Sequence, residues 1–328
     1  MQEMKLRSKW LMSAICLFVM ACNVQAEPLK IAYSDWPGWV AWDIAKQKGF
    51  FAKNGVEVDL EWFEYMASMD AFAAGKVDAV TVTNGDALVL NATGARNIMV
   101  MINDVSNGND KIVGGPGISS IKDLKGKKIG VELGVVSHLL LINALKDYGM
   151  TDKDVSLINV PTHQTAQILA SGDVDAIVAW QPNSGQALKS VHGSSAIYTS
   201  ADAPGLIYDV LAVSIGSMME RRAEWEKVVA AWYDVVAYMK DPANRKDMLE
   251  ILSARVSLTP EEYEPFLEGT KILSLPEALK IFKPADGFGS LYGSSDVVNA
   301  FQVENKVYDT PVDVKKSIDS SLTEKLKN

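Results

Sequence analysis

Five acidic residues stand among aromatic ones in stretches that read as loops: Asp35, Asp86, Asp110, Glu132 and Asp209, with Trp36, Trp39, Trp180 and Tyr208 close to them in the chain. Carboxylates bring negative charge and hydrogen-bond acceptors, and indole or phenol faces attract cations. The combination suits a small positively charged guest. Charge-assisted hydrogen bonds contribute on the order of 1.5–3 kcal/mol each, so two would suffice for micromolar capture of a very small ligand. Five acids cannot all touch one such guest. The competing role for each is a helix cap or a solvated loop charge, and for Trp36 and Trp180 it is packing between lobes.

These side chains need strands and helices to aim them, and the chain carries two similar sets. The run Ala73-Ala-Gly-Lys-Val-Asp-Ala79 recurs as Ala170-Ser-Gly-Asp-Val-Asp-Ala176, so Asp78 matches Asp175. Each run leads into a short apolar strand, and Leu29–Tyr33 pairs in the same way with Lys127–Val131. A repeat of this kind implies two similar α/β lobes, each a mostly parallel sheet flanked by helices. Asp78 and Asp175 then hold the turn before a strand. The candidate acids fall at the carboxyl ends of strands, where open α/β sheets bind ligands.

In order, strands are expected at Leu29–Tyr33, Val56–Phe63, Val77–Thr83 and Ile98–Ile102, with helices from Val40, Ser68 and Ala87. Asn84-Gly-Asp86 reads as a polar turn, and 103–110 as a loop. The expected division is 27–110 plus 214–328 for the first lobe and 111–213 for the second, joined by two crossings. Trp225, Val228, Val229, Trp232, Val235 and Val236 keep helical spacing and belong to a core.

The amino terminus differs in kind. Lys5, Arg7 and Lys9 precede the apolar run Trp10–Ala21, and Val24-Gln-Ala26 offers a small-residue cleavage site. That is the pattern of a secretory signal peptide over 1–26, and it implies export of the mature protein. Cys22 allows a lipid-anchored alternative, which the bulky Met20 disfavours. Both cysteines, Cys16 and Cys22, lie in this leader. Cleavage after Ala26 leaves no thiol for catalysis, disulfides or metal ligation. His138, His163 and His192 lack metal-ligand spacing, and no G-x-S-x-G, P-loop or GxGxxG occurs. The expectation is therefore no metal, no cofactor and no enzyme activity. With 32 basic against 41 acidic residues and no basic run beyond the leader, nucleic acid is excluded as a partner.

The first-strand loop and Gly49-Phe-Phe51, the doubled Ala-Gly-Asp motif and Asp123-Leu-Lys-Gly-Lys-Lys-Ile-Gly-Val131 together resemble the periplasmic binding proteins of nitrate, taurine and sulfonate ABC importers. The resemblance implies a periplasmic location for the exported protein and a two-lobed fold that closes on a small solute and hands it to a permease, as a monomer. A subset associated with urea carboxylase and guanidine use is most similar, through Tyr33-Ser-Asp-Trp-Pro-Gly-Trp-Val-Ala-Trp42, Thr83-Asn-Gly-Asp86, Ser106-Asn-Gly-Asn-Asp110, Trp180-Gln-Pro-Asn-Ser-Gly185 and Ala203-Pro-Gly-Leu-Ile-Tyr-Asp209. Taurine-type relatives carry hydroxyl residues where Asp86 stands, and a carboxylate there repels sulfonate or nitrate. Guanidinium instead offers a planar fork of donors and a face that stacks on indole. A taurine, sulfonate or nitrate receptor is the alternative. The thiamine-pyrimidine synthases share the fold, but they need a histidine- and cysteine-rich site that this chain lacks.

Overall fold

The computed structural model describes residues 27–327. The expected signal peptide, Cys16 and Cys22 lie outside the described residues. In chain order the strands are β1 (Leu29–Tyr33), β2 (Val58–Trp62), β3 (Ala79–Thr83), β4 (Asn97–Ser106), β5 (Asp110–Gly114), β6 (Lys128–Val131), β7 (Ser156–Asn159), β8 (Ala176–Trp180), β9 (Ser195–Thr199), β10 (Tyr208–Ser214) and β11 (Thr270–Ile272). They form a six-stranded sheet, β11-β4-β10-β3-β1-β2, and a five-stranded sheet, β7-β6-β8-β5-β9. Helices flank both. The architecture is the two-lobed α/β arrangement that the repeat implies.

The repeat is visible in the register. Ile31 pairs with Ala79 in one sheet, and Ile129 pairs with Ala176 in the other. Asp78 accepts the backbone N–H of Lys30 at 2.9 Å, and Asp175 accepts that of Lys128 at 2.8 Å. Each aspartate ties the start of its strand to the preceding parallel strand, so the motif is a structural clamp used twice.

Strands β1 to β4 run in one direction, and β10 enters antiparallel between β3 and β4. In the other sheet β5 lies antiparallel between β8 and β9. The reversal has a functional consequence. An antiparallel strand begins where its parallel neighbours end, so the first residues of β5 and β10 arrive at the carboxyl edge of each sheet. The chain leaves the first sheet through Asn107-Gly108-Asn109 and returns through Ser200–Ile207. Tyr208–Ser214 is paired on both sides within the six-stranded sheet, so the expected end of the second lobe at 213 moves back to the loop before Tyr208.

Two expectations about local structure change. Asn84-Gly-Asp86 is not a free turn but the first turn of the Asn84–Ala92 helix, capped by Thr83, whose Oγ1 accepts the Asp86 N–H at 3.2 Å. Strand β4 continues to Ser106, because β10 and β11 pair along its second half. On the far face of the six-stranded sheet, Trp225, Val228, Val229, Trp232, Val235 and Val236 of the Ile215–Lys240 helix are buried against Trp42 and Ile44. Among the described residues no helix is long and apolar enough to cross a membrane.

Candidate functional site

The carboxyl edges of the two sheets face each other, and the cleft between them is pinned by hydrogen bonds that cross it. Asp35, just beyond β1, accepts the indole N–H of Trp180 at 3.0 Å and the amide of Asn183 at 2.8 Å, both from the opposite lobe. Tyr65, the first residue of the Tyr65–Ala73 helix, meets Trp180 edge-on at 5.1 Å between ring centroids. An opening of about 320 Å³ at the mouth is lined by Asp35, Glu64, Tyr65, Glu132, Trp180 and Asn183, among others, with no lysine or arginine.

Asp86 lies deeper and is fully buried. Its Oδ2 accepts the phenol of Tyr65 at 2.5 Å and, across the cleft, the backbone N–H of Val136 at 3.3 Å. Val136 opens the Val136–Asp147 helix, so Asp86 places a carboxylate on a helix amino terminus. Thr83 and Asp86 have the spacing of a capping box, but the acid turns away from its own helix toward these two donors. Its Oδ1 accepts no hydrogen bond among the described residues. Burial pushes the carboxyl up to about 7, and the bonds from Tyr65, Thr83 and Val136 pull the other way.

Asp209, the second residue of β10, pairs in register with Thr83 on one side and Asp104 on the other. Asp209 and Asp104 are thus buried carboxyls paired across neighbouring strands, and both sit well above the ordinary carboxylate range because burial penalises their charge. Asp104 Oδ1 accepts the Trp36 indole N–H at 3.0 Å. Its Oδ2 faces Gly38, where a Cβ would come within 1.9 Å of it, so only glycine leaves room for this contact. Asp209 Oδ2 and Asp104 Oδ2 accept no bond from an N–H or O–H among the described residues.

The acids form one electrostatic chain. Glu132 feels Asp35, Asp86 feels Glu132, and Asp209 feels Asp104, Asp110 and Asp86; each contact raises the carboxyl it acts on. The Glu132 carboxylate accepts Thr162 Oγ1 at 2.9 Å within its own lobe, and burial raises it. Asp110 is pushed up to about 6 by burial. Its carboxylate accepts the Ser106 hydroxyl, which also bonds to Ser200, so Asp110 belongs to the joint where both crossings meet.

The aromatic residues divide in the same way. Trp39 stacks on Tyr65 at 5.4 Å with 15° between planes, and Trp36 stands 6.3 Å from Trp39. Tyr65, which bonds Asp86, thus touches both Trp39 and Trp180. Tyr208 instead sends its hydroxyl to the Phe288 carbonyl at 2.6 Å and its N–H to Asn84 Oδ1, which anchors the loop before β10. Of the expected site residues, Asp35, Glu132 and Trp180 line the opening, whereas Trp36, Trp39, Asp86 and Asp209 are buried and do not line it. The structure spends Asp110 and Tyr208 largely on the crossings. Sequence reading missed Asp104, Tyr65 and Asn183. Among the described residues no group of histidine, cysteine or acid side chains is arranged to hold a metal ion.

Two α/β lobes whose strand ends face each other have the architecture of the periplasmic binding proteins. The NMT1-like family profile matches residues 23–253, and the chain belongs to that family. A Brucella abortus relative, provisionally named a binding protein, is 28% identical over 279 residues, 84% of this chain and 86% of its own. The taurine-binding periplasmic protein of Escherichia coli is 25% identical over 164 residues, 50% of this chain and 48% of its own. The alkanesulfonate-binding protein SsuA of Xanthomonas axonopodis pv. citri, solved with MOPS, superposes with a TM-score of 0.73 at 17% identity, covering 89% of this chain and 98% of its own.

Proposed function

We propose that this chain is the extracytoplasmic receptor of an ABC importer, that it works in the periplasm without catalysing a reaction, and that it captures a small nitrogenous cation such as guanidinium between its lobes. The named roles of its relatives support the receptor part. One observation carries the ligand class: Asp86 Oδ1 and Asp209 Oδ2 are buried beside stacked aromatic rings with no hydrogen-bond donor among the described residues. Burying a carboxylate without a partner is costly, and a cation with several N–H donors removes that cost. Trp180, which lines the opening, offers its ring to such a planar guest, and Asp35 clasps the opposite lobe over it. The lobes hinge at Asn107-Gly-Asn109 and Ser200–Ile207.

The second reading is a sulfonate, taurine or nitrate receptor, and the names of a taurine-binding relative and of alkanesulfonate- and nitrate-binding structural neighbours favour it. Anions bind where helix amino termini leave N–H groups free. In this chain the Asp86 carboxylate already takes the Val136 N–H, so a sulfonate would meet a negative charge there. A zwitterion fits better than a simple anion, with its amine on Asp209.

Thermal shift decides between the two. Guanidinium at low millimolar concentration raises the melting temperature in proportion to the logarithm of its concentration if the first reading holds. A shift with taurine, an alkanesulfonate or nitrate and none with guanidinium replaces it with the second.

A further inference from the structure

Asp104 was not legible as a site residue, and its surroundings give it a role different from that of its neighbour. Trp36 holds one oxygen at 3.0 Å and Gly38 packs against the other, so Asp104 cannot swing toward a guest in the cleft. What it can reach is Asp209, its register partner on the adjacent strand. Two buried carboxyls on residues paired directly across neighbouring strands do not both ionise readily without a cation between them. They take up one proton and share it.

We propose that Asp104 and Asp209 share one proton and that a cation settling on Asp209 expels it, so that capture by this receptor releases a proton to the solvent. The inference rests on the cation reading above. Asp104 is the positioning residue, acting through Asp209, while Asp209 is the group that meets the ligand. The balance is simple. The pair with one proton carries one negative charge. On binding, the shared O–H bond breaks, the proton leaves to the buffer, and the doubly charged pair faces the cation with no net change at the site.

The groups facing the pair come from every packed element. Asp86 approaches from the Asn84–Ala92 helix and Asp110 from the start of β5, while the phenols of Tyr65 and Tyr263 feel Asp209 and Asp104 respectively. Glu132 acts at one remove, through Asp86. Apart from the phenols, all are acids, so each favours keeping a proton on the pair until positive charge arrives. Asp86 itself titrates near 7. Measurement at pH 8 therefore separates its proton from that of the pair.

The experiment is isothermal titration calorimetry with guanidinium chloride at pH 8, in buffers that differ in ionisation enthalpy. The dependence of heat on buffer counts protons released. The full mature protein is expected to release more than half a proton per cation bound. Its affinity is expected to rise with pH, by up to about tenfold per unit where a whole proton is exchanged. Asp104→Asn, whose amide donates to Asp209 without a titrating proton, is expected to bring the count close to zero while still binding.

Binding with no proton release in the unmodified protein, or an unchanged count in D104N, overturns the proposal. The unmodified count stands alone if D104N fails to fold. Absence of any guanidinium heat removes the cation reading itself and this inference with it, whereas binding without proton exchange removes this inference only.

Discussion

Trp180 donates its indole N–H to Asp35 at 3.0 Å across the cleft, and the amide of Asn183 reaches the other oxygen of the same carboxylate at 2.8 Å. Asp35 is thus fully engaged by the opposite lobe, and burial raises it despite both bonds. A carboxylate satisfied in this way serves closure more than ligand contact. Replacing Asp35 with Ala removes two charge-assisted bonds between the lobes. The expected result is a several-fold to tenfold loss of ligand affinity, expressed mainly as faster release, with little change in melting temperature without ligand. Stopped-flow tryptophan fluorescence, with Trp180 as reporter, measures the release rate. Unchanged release would show that the bond does not hold the closed state.

Asp86 is tested by charge removal. Asp86→Asn keeps the shape and loses the negative charge, so guanidinium affinity is expected to fall more than tenfold while taurine or sulfonate binding is spared or improved. Equal losses for both would leave Asp86 as a shaper of the helix start. Tyr65→Phe probes the same group from its donor side. Without the phenol the carboxyl titrates higher, because that bond pulls it down. Cation binding in Y65F should therefore weaken about fivefold near pH 7 and recover as pH rises, a profile that titration calorimetry at several pH values resolves.

The doubled clamp makes a matched pair. Asp78 and Asp175 each hold the backbone N–H that starts a neighbouring strand, one in each sheet. Asp78→Ala and Asp175→Ala should each lower stability by roughly 1 kcal/mol, since a partly exposed charge–amide bond falls toward the lower end of the usual range. Ligand affinity should not move. Chemical denaturation of both variants checks the first expectation, and a loss of affinity in either would mean that the clamp also orients the cleft.

The repeat was readable because parallel strands need the same local chemistry twice: a left-handed glycine ending the helix, an aspartate tying the strand, then an apolar run. Gly75 and Gly172 both take positive φ at that point. The acids at strand ends were readable for the same reason, since polar residues interrupt apolar runs there. Asp104 was not readable. It lies in a segment whose polar residues suggest a loop, and only the pairing of β10 and β11 with it makes that segment a strand. Tyr65 was missed because no side-chain cap marks the start of its helix. Trp180 and Asn183 are distant in sequence from Asp35, so their partnership depends on how the lobes face each other. That arrangement leaves no local mark on the sequence.

The pH dependence of stability follows from the same buried carboxyls. Asp86 is raised to about 7 and Asp110 to about 6, from ordinary values near 4, mainly by burial. In the ligand-free fold each therefore holds a proton that the unfolded chain has already released. Between roughly pH 4 and pH 7 the native state binds more protons than the unfolded one, so stability falls as pH rises through that window. For Asp86 alone the loss is on the order of 4 kcal/mol. Ligand-free protein should melt at a higher temperature near pH 5 than near pH 8, and Asp86→Asn should flatten the difference. Guanidinium should restore stability most at the alkaline end, where the carboxylates are ionised and a cation has most to neutralise. A melting profile that rises from pH 5 to pH 8 without ligand would mean that these acids already find positive partners within the chain.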